Sequence, residues 1–309
     1  MSFSATDAAF EGFRLVRRNP IALIAWALLY AVLSLASLFA MSNAIGPMAE
    51  VAAMAEALEG VTDPAAADVS AVLQGFGAVL LAVGWLFPIS IVVSGMLAAA
   101  VARGVLTPGA GGFGYLRLGM DEVRVVVVML VLSLLLMALV LALILVSGIA
   151  AGIAKASGGG IAVLVAMFTG VAGAALGIWL SVRLSLAVPI TVAEKRIAIF
   201  DSFAVTRGRF WPLLGMAILT GVMVLLILLL SSIVTMPLAL ASGLGSSTFG
   251  SSAADIEAAR AQFDIANPWV IASALVEAAV YALTVGVLYA PFSAAYRALV
   301  GQGAESTAA

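Results

Sequence analysis

The 309-residue chain has no cysteine and no histidine, and only 10% of its residues are charged. Without cysteine the chain can form neither disulfides nor a thiol nucleophile. Without histidine it cannot build a Ser-His triad, a histidine proton relay or the usual zinc, haem and iron–sulfur ligation. These absences predict a protein with no cofactor, no metal site and no catalytic residue of these common kinds.

Apolar residues are what the chain has in excess. They account for 64% of the sequence, and the mean hydropathy is +1.22. A soluble domain is about 45–50% apolar and about 25% charged. A chain this apolar cannot cover itself with polar surface in water, so we expect lipid to be its solvent. The net charge of −2 is too small to suggest nucleic acid as a partner.

Six stretches are long and apolar enough for transmembrane helices, each of which needs about 20 mostly apolar residues. They cover approximately residues 20–41, 77–102, 125–150, 161–188, 211–240 and 269–295. The predicted fold class is therefore all-α. We expect one polytopic integral membrane domain over residues 1–309, with six transmembrane helices.

The basic residues predict the orientation of these spans. Of the 14 Lys and Arg residues, 12 flank the span ends that would share one side of the membrane, and only Lys155 and Arg260 lie opposite. Short cytoplasmic loops carry an excess of Lys and Arg. We therefore predict a multi-pass protein of the bacterial cytoplasmic (inner) membrane, with both termini in the cytoplasm.

A short motif, Phe-acid-small-Phe-x-x-x-Arg, occurs twice, beginning at Phe10 before the first span and at Phe200 before the fifth. Phenylalanines at i and i+3 share a helix face, whereas the acid and the arginines can reach water and headgroups. The motif predicts cytoplasmic interfacial amphipathic helices over residues 4–18 and 193–208, and a duplication of the unit. A general preference of membrane helices for basic lead-ins is the alternative explanation.

These interfacial helices carry the candidate contacts with lipid or with a partner protein. The residues are Arg17, Arg18, Lys195, Arg196, Arg207 and Arg209. A basic residue near an anionic leaflet contributes about 1 kcal/mol to membrane binding. The simpler interpretation is that these residues only anchor the topology. A homo-oligomer is a further option for a protein partner.

Two ionisable residues form a candidate intramembrane polar site. Glu277 lies eight residues after Trp269, about 12 Å into its span. Arg183 lies near the cytoplasmic end of the fourth span, where its long side chain can reach the interface. Ionisable groups in hydrocarbon are costly and often functional. Glu277 is thus a candidate proton or cation site with Ser232 and Thr235 as hydroxyl partners, or a neutral carboxylic acid hydrogen-bonded between helices.

The stretch Arg183–Gly215 carries a family resemblance. It combines a span that ends in RLSLAVP, the pair Val192 and Glu194, an aromatic-acid-small helix and an RGRFW exit. Together with Tyr296-Arg297, it resembles bacterial six-span proteins of the glycerophosphodiester phosphodiesterase membrane-domain and YciC-like group. The resemblance implies membrane residence and an accessory role. It carries over no activity, because we expect no attached phosphodiesterase domain and the chain has no histidine for that enzyme's acid–base pair.

The leading functional hypothesis is a non-enzymatic integral inner-membrane protein, accessory or structural, whose basic cytoplasmic helices contact lipid headgroups or partner proteins. The alternative is a small-solute or proton-coupled transporter that uses Glu277. An intramembrane enzyme is disfavoured, because no pair of polar residues suited to catalysis lies at matching depth in the spans.

Overall fold

The computed structural model describes residues 4–59, 69–109, 112–156, 160–241 and 253–307. The structure is 88% helical, and the described residues form no strand. The all-α class predicted from the sequence is thereby confirmed.

The described residues form twelve α-helices. They are α1 (Ala5–Ala9), α2 (Glu11–Arg18), α3 (Pro20–Glu59), α4 (Val69–Val83), α5 (Leu86–Leu106), α6 (Met120–Ala156), α7 (Gly160–Leu184), α8 (Ala187–Glu194), α9 (Asp201–Val205), α10 (Phe210–Ala241), α11 (Ala253–Gln262) and α12 (Pro268–Thr307). A short 3₁₀ turn covers Phe113–Tyr115 between α5 and α6.

Among the described residues, six helical segments are long and apolar enough to cross a membrane, as the sequence predicts. They are Pro20–Met54, Leu73–Leu106, Met120–Ile149, Met167–Glu194, Phe210–Ala241 and Pro268–Gly301. Several helices run beyond the predicted bounds. α3 continues to Glu59, eighteen residues past the predicted end at 41, because its Ala-rich second half keeps helical hydrogen bonding after the strongly apolar run ends.

The interfacial segments differ from the predicted single helices. Residues 4–18 form two helices, α1 and α2, which meet at Phe10. Residues 193–208 hold only the end of α8 and the short helix α9. The break follows from Lys195, whose φ of 52° is left-handed and ends α8, a conformation that commonly terminates helices. Hydrophobic periodicity does not reveal such a residue, so the prediction of one continuous helix was wrong.

The chain forms two compact units. Unit 1 comprises Met1–Arg18, Gly95–Val222 and Gly286–Ala309, and unit 2 comprises Asn19–Ser94 and Met223–Val285. In unit 1, α6 packs against α7 and α8, and α9 packs against the same two helices. In unit 2, α3 packs against α4 and α11. The candidate lipid-contact residues all belong to unit 1.

One buried cluster of unit 1 is built from small side chains, which let helix backbones approach closely. Its buried members are Ala98, Ala99, Ala102, Val125, Val128, Ala187, Val188 and Val192. A Cβ atom on Gly95 of α5 would lie 2.4 Å from the Val126 side chain and 3.2 Å from its Cα. α5 and α6 therefore pack at a distance that only glycine permits at this position.

Candidate functional site

A buried ion pair joins the end of α5 to the start of α6. Arg103 binds Glu122, and the exposed fractions of the two side chains are only 8% and 5%. The Arg103 Nε also donates to the carbonyl oxygen of Ala99 at 3.3 Å. The Gly119 amide donates to Glu122 Oε2 at 3.0 Å. Because both charged groups have additional hydrogen bonds, their burial is compensated, and the pair fixes the α5–α6 connection.

A second buried carboxylate, Glu11, lies at the start of α2. It accepts from Arg14 at 3.3 Å and pairs with Arg297 of α12 at 3.6 Å. Arg297 Nη1 also donates to the carbonyl oxygen of Val105 at 2.7 Å. Three helices, α2, α5 and α12, are thus connected through one guanidinium group. Glu11 and Arg297 act as structural residues here.

Arg183, one of the two predicted intramembrane polar residues, is held by the segment around α9. Its Nη1 donates to the Phe203 carbonyl oxygen at 3.2 Å and to Thr206 Oγ1 at 3.4 Å. Its guanidinium carbon lies 5.7 Å from the ring centroid of Trp179, a cation–π distance. These contacts give Arg183 a positioning role at the end of α7.

Ser202 completes this connection between α7 and α9. Its hydroxyl donates to the carbonyl oxygen of Arg183 at 2.6 Å and accepts from the Leu186 amide at 3.2 Å. Helix ends leave backbone groups without partners, and one buried hydroxyl satisfies two of them here. α9 is consequently fixed to the turn between α7 and α8.

Arg196 is also engaged within the protein. It lies 2.5 Å from a carboxylate oxygen of Glu194 and 2.6 Å from one of Asp201. The hydrogen bond and the charge of Asp201, together with Glu194, raise the pKa of Arg196 above its ordinary value. The guanidinium therefore joins the end of α8 to the start of α9 through these two carboxylates. Arg209 likewise has an interaction within the protein.

The other four candidate contact residues differ from Arg196 and Arg209. Their side chains are exposed and make no ion pair or hydrogen bond with any described residue. We call them the free cations: Arg17, Arg18, Lys195 and Arg207. The six basic residues picked from the sequence thus divide into two that stabilise the fold and four that are available for a ligand.

The two copies of the Phe-acid-small-Phe-x-x-x-Arg motif have matching geometry. The ring centroids of the two phenylalanines are 6.4 Å apart in the first copy and 6.5 Å apart in the second. The leading rings, Phe10 and Phe200, are 44% and 68% exposed. The motif arginines, Arg17 and Arg207, are both free cations. Each copy therefore presents an exposed aromatic ring and an unpaired arginine.

The inner positions of the motif also correspond. The acids, Glu11 and Asp201, both pair with arginines of the same unit. The small residues, Gly12 and Ser202, both make close contacts. A Cβ on Gly12 would lie 2.5 Å from the Cα of Val287, and Ser202 bonds the end of α7 as described above. One face of each copy fixes it to the fold, and the leading Phe and the Arg remain exposed.

Glu277 belongs to unit 2, on the part of α12 within the span Pro268–Gly301. Its side chain is exposed and has no ion-pair or hydrogen-bond partner among the described residues. The predicted hydroxyl partners donate within α10 instead: Ser232 to the Leu229 carbonyl oxygen at 2.7 Å, and Thr235 to that of Ser231 at 3.1 Å. The structure therefore leaves Glu277 unpaired in unit 2.

Unit 1 also contains a cavity of about 550 Å³ between α5, α6, α7, α8 and α12. The sequence gives no signal for it, because the cavity arises from the packing of helices that are distant along the chain. The buried roles of Arg103, Glu122 and Glu11 were missed for the same reason. The only local signal was the position of Glu122, three residues after the glycine whose amide it caps.

Comparison with known proteins finds no matching family model, and no curated protein or solved structure with significant similarity.

Proposed function

We propose that this chain is a non-enzymatic integral protein of the bacterial inner membrane, accessory or structural in role, which binds anionic lipid headgroups through its free cations. The proposal is based on one repeated observation. Each copy of the motif has an exposed phenylalanine followed seven residues later by an arginine without a partner: Phe10 and Arg17 in the first copy, Phe200 and Arg207 in the second. Segments that lie in the membrane interface combine apolar rings, which enter the lipid, with basic groups, which bind phosphate.

The order of the spans supports a common side for the free cations. If each of the six spans crosses once, the chain changes sides with every span. Arg17 and Arg18 precede the first span, and Lys195 and Arg207 lie between the fourth and fifth, so all four lie on one side. The excess of basic residues there favours the cytoplasmic side. The resemblance to the YciC-like group favours the same accessory role.

Reporter fusions test this orientation. We expect a fusion after residue 120 to be active only as a cytoplasmic reporter, and one after residue 63 only as a periplasmic reporter. The reverse pattern at residue 120 would exclude cytoplasmic termini.

Native mass spectrometry tests the headgroup proposal. The full chain is purified from vesicles of phosphatidylcholine and phosphatidylglycerol in equal amounts, and the bound lipids are identified. The double variant Arg17→Ala/Arg207→Ala should lower the preference for phosphatidylglycerol, by about fivefold per arginine, since each basic residue contributes about 1 kcal/mol.

The matched control is Arg124→Ala/Arg260→Ala, which removes the same charge outside the motif. Arg124 already pairs with Asp121 at 2.7 Å, and Arg260 lies in unit 2. We expect this control to keep the preference for the anionic lipid. Equal losses in both double variants, or no loss in either, would refute headgroup binding by the motif arginines. Loss of a co-purifying protein with unchanged lipid preference would assign the free cations to a protein partner.

A proton-coupled or solute transporter is the second candidate, and the unpaired carboxyl of Glu277 within a spanning segment favours it. An ionisable group at that position is costly unless it has a use. Proton flux into vesicles with an entrapped pH dye tests it. Transport predicts flux that Glu277→Gln abolishes, and equal flux with protein-free vesicles would exclude proton coupling at Glu277.

A further inference from the structure

The cavity of unit 1 is a partly open pocket between helices of the spanning segments. Its described lining residues all fall within four of the six spanning segments. They include Met129 and Leu132 of α6, Leu180 and Leu184 of α7, and Phe292 of α12. A cavity at this depth opens to the lipid phase, so hydrocarbon is the medium that supplies its occupant.

The size and walls of the cavity suit a lipid chain. The volume of about 550 Å³ falls within the range of about 300–1,000 Å³ typical of sites for small organic ligands. Along α6 the lining runs from Met129 to Leu136, which corresponds to about 10 Å of helix. One leaflet of hydrocarbon is about 15 Å deep. The cavity is therefore long enough to receive much of one acyl chain.

The cavity wall also contains hydroxyl groups, which can donate hydrogen bonds to an oxygen atom of the ligand. Four serines line the cavity. Ser133 donates to the Leu130 carbonyl oxygen within α6, and Ser185, just after α7, donates to the Val182 carbonyl oxygen, at 2.8 Å each. Ser181 and Ser293 have no hydrogen-bond partner among the described residues. Ser293 is only 1% exposed and lines the cavity, so a group that enters the cavity can accept a hydrogen bond from its hydroxyl.

The position of Ser293 along α12 suits a hydrogen bond to an ester carbonyl oxygen of a lipid. It lies two residues before 295, where the apolar run of the last span ends, and one helical turn before Arg297. Arg297 is itself bound to Glu11 and to the Val105 carbonyl oxygen. Ser293 is therefore a cavity-lining hydroxyl that lies toward the charged end of α12, and the ester groups of a phospholipid lie toward the charged side of the hydrocarbon layer.

We propose that this cavity binds one acyl chain of a membrane phospholipid, and that an ester carbonyl oxygen of that lipid accepts a hydrogen bond from Ser293. The proposal rests on the membrane residence proposed above, but it does not depend on the charge of the headgroup. A lipid held between α6, α7 and α12 would be an integral part of unit 1.

Photocrosslinking tests the proposal with a neutral lipid. The full chain is reconstituted in vesicles of phosphatidylcholine that contain a phosphatidylcholine probe with a diazirine on one acyl chain. After irradiation, peptide mass spectrometry locates the label. We expect labelling to concentrate on Leu132, Leu184 and Phe292. Labelling no higher there than on the lipid-exposed surfaces of α6 and α10 would overturn the proposal.

Filling the cavity should exclude the chain. Ser181→Phe places a ring where the side chain is exposed and unpaired, and it should lower cavity labelling by about tenfold. Ser133→Phe fills the cavity from α6 and guards against a folding defect of the first variant. The matched control is Ile178→Phe, on the same helix as Ser181 but outside the lining. Unchanged labelling in both filled variants would refute the site.

Removal of one hydroxyl tests the ester contact. Ser293→Ala should weaken competition by unlabelled phosphatidylcholine by about fivefold, the size of one hydrogen bond. Ser133→Ala should not, because that hydroxyl is already satisfied within α6. Equal effects of the two variants would overturn the role of Ser293. Since every lipid in this experiment is zwitterionic, its result is independent of the test for headgroup binding by the free cations.

Discussion

Arg103 and Glu122 form a buried ion pair inside unit 1, although only 10% of the residues of the chain are charged. The pair lies beside the small side chains of the α5–α6 packing, where Ala99 accepts from Arg103 and Gly119 donates to Glu122. Removing one partner of a buried ion pair destabilises the fold strongly, because the other charge stays buried without compensation. The α5–α6 connection therefore depends on both residues together.

We expect Arg103→Ala to lower the free energy of unfolding by about 3–5 kcal/mol, because it leaves Glu122 charged and buried without a partner. Denaturant unfolding of the detergent-solubilised protein measures this. The control is Arg124→Ala, whose pair with Asp121 is partly exposed, and which should cost about 0–1 kcal/mol. A double variant, Arg103→Met/Glu122→Leu, should recover most of the loss. If it is no more stable than Arg103→Ala, the ion pair is not the source of the effect.

Gly12 is where α2 meets α12, and we expect Gly12→Ala to destabilise the protein by about 1–3 kcal/mol. Its Cβ would lie 2.5 Å from the Val287 Cα and 2.7 Å from the Gly286 carbonyl oxygen, both backbone atoms that cannot move aside. α2 must then shift, and the Glu11–Arg297 contact shifts with it. Thermal unfolding in detergent measures the loss.

The matched control for this contact is Gly215→Ala in α10, where a Cβ would have no atom within 4 Å. Alanine is the better helix former by about 1 kcal/mol, so this variant should be equal to or more stable than the parent protein. Comparable losses in the two variants would mean that the close approach of α2 to α12 does not limit stability.

The sequence predicted the class and the spans because hydropathy is a local property. Glu11 shows where local reading fails: the motif marks it as an acid facing water, yet Arg297, far along the chain, buries it. Lys195 shows a second limit. Its left-handed backbone is usual for glycine or asparagine, so a lysine there gives no warning that the helix ends.

The sequence singled out six basic residues as candidate contacts, but it did not show which of them pair within the fold. The repeat of Phe-acid-small-Phe-x-x-x-Arg drew attention to Arg17 and Arg207, whose side chains are exposed and unpaired in the structure. It did not separate them from Arg196, which pairs with Asp201, because charge pairing depends on how the chain turns between α8 and α9. The cavity was not predictable, since its walls come from four separate spans.

Lys195 carries a positive charge and has a left-handed backbone conformation. Substitutions at this residue can therefore test the effect of the charge on lipid binding separately from the effect of the backbone on stability. We expect Lys195→Gly to raise the free energy of unfolding by up to about 1 kcal/mol, because glycine adopts left-handed φ without a Cβ clash. Lys195→Ala keeps the strain and should leave stability near that of the parent. Both variants should lose the same fraction of phosphatidylglycerol preference, measured by native mass spectrometry. A difference in lipid preference between them would show that backbone shape, not charge, matters at this residue.

Ser202 holds α9 to the end of α7, and the free cations Lys195 and Arg207 lie on either side of it. Ser202→Ala removes the partner of both the Arg183 carbonyl oxygen and the Leu186 amide, so we expect a loss of about 1–3 kcal/mol. The released segment should also exchange its amide hydrogens faster. Hydrogen exchange over residues 195–209 measures this, and Ser185→Ala, whose hydroxyl bonds only the Val182 carbonyl oxygen, is the control. Unchanged exchange in Ser202→Ala would show that contacts other than this hydroxyl fix α9. Faster exchange confined to this segment would show that Ser202 holds the second copy of the motif in place.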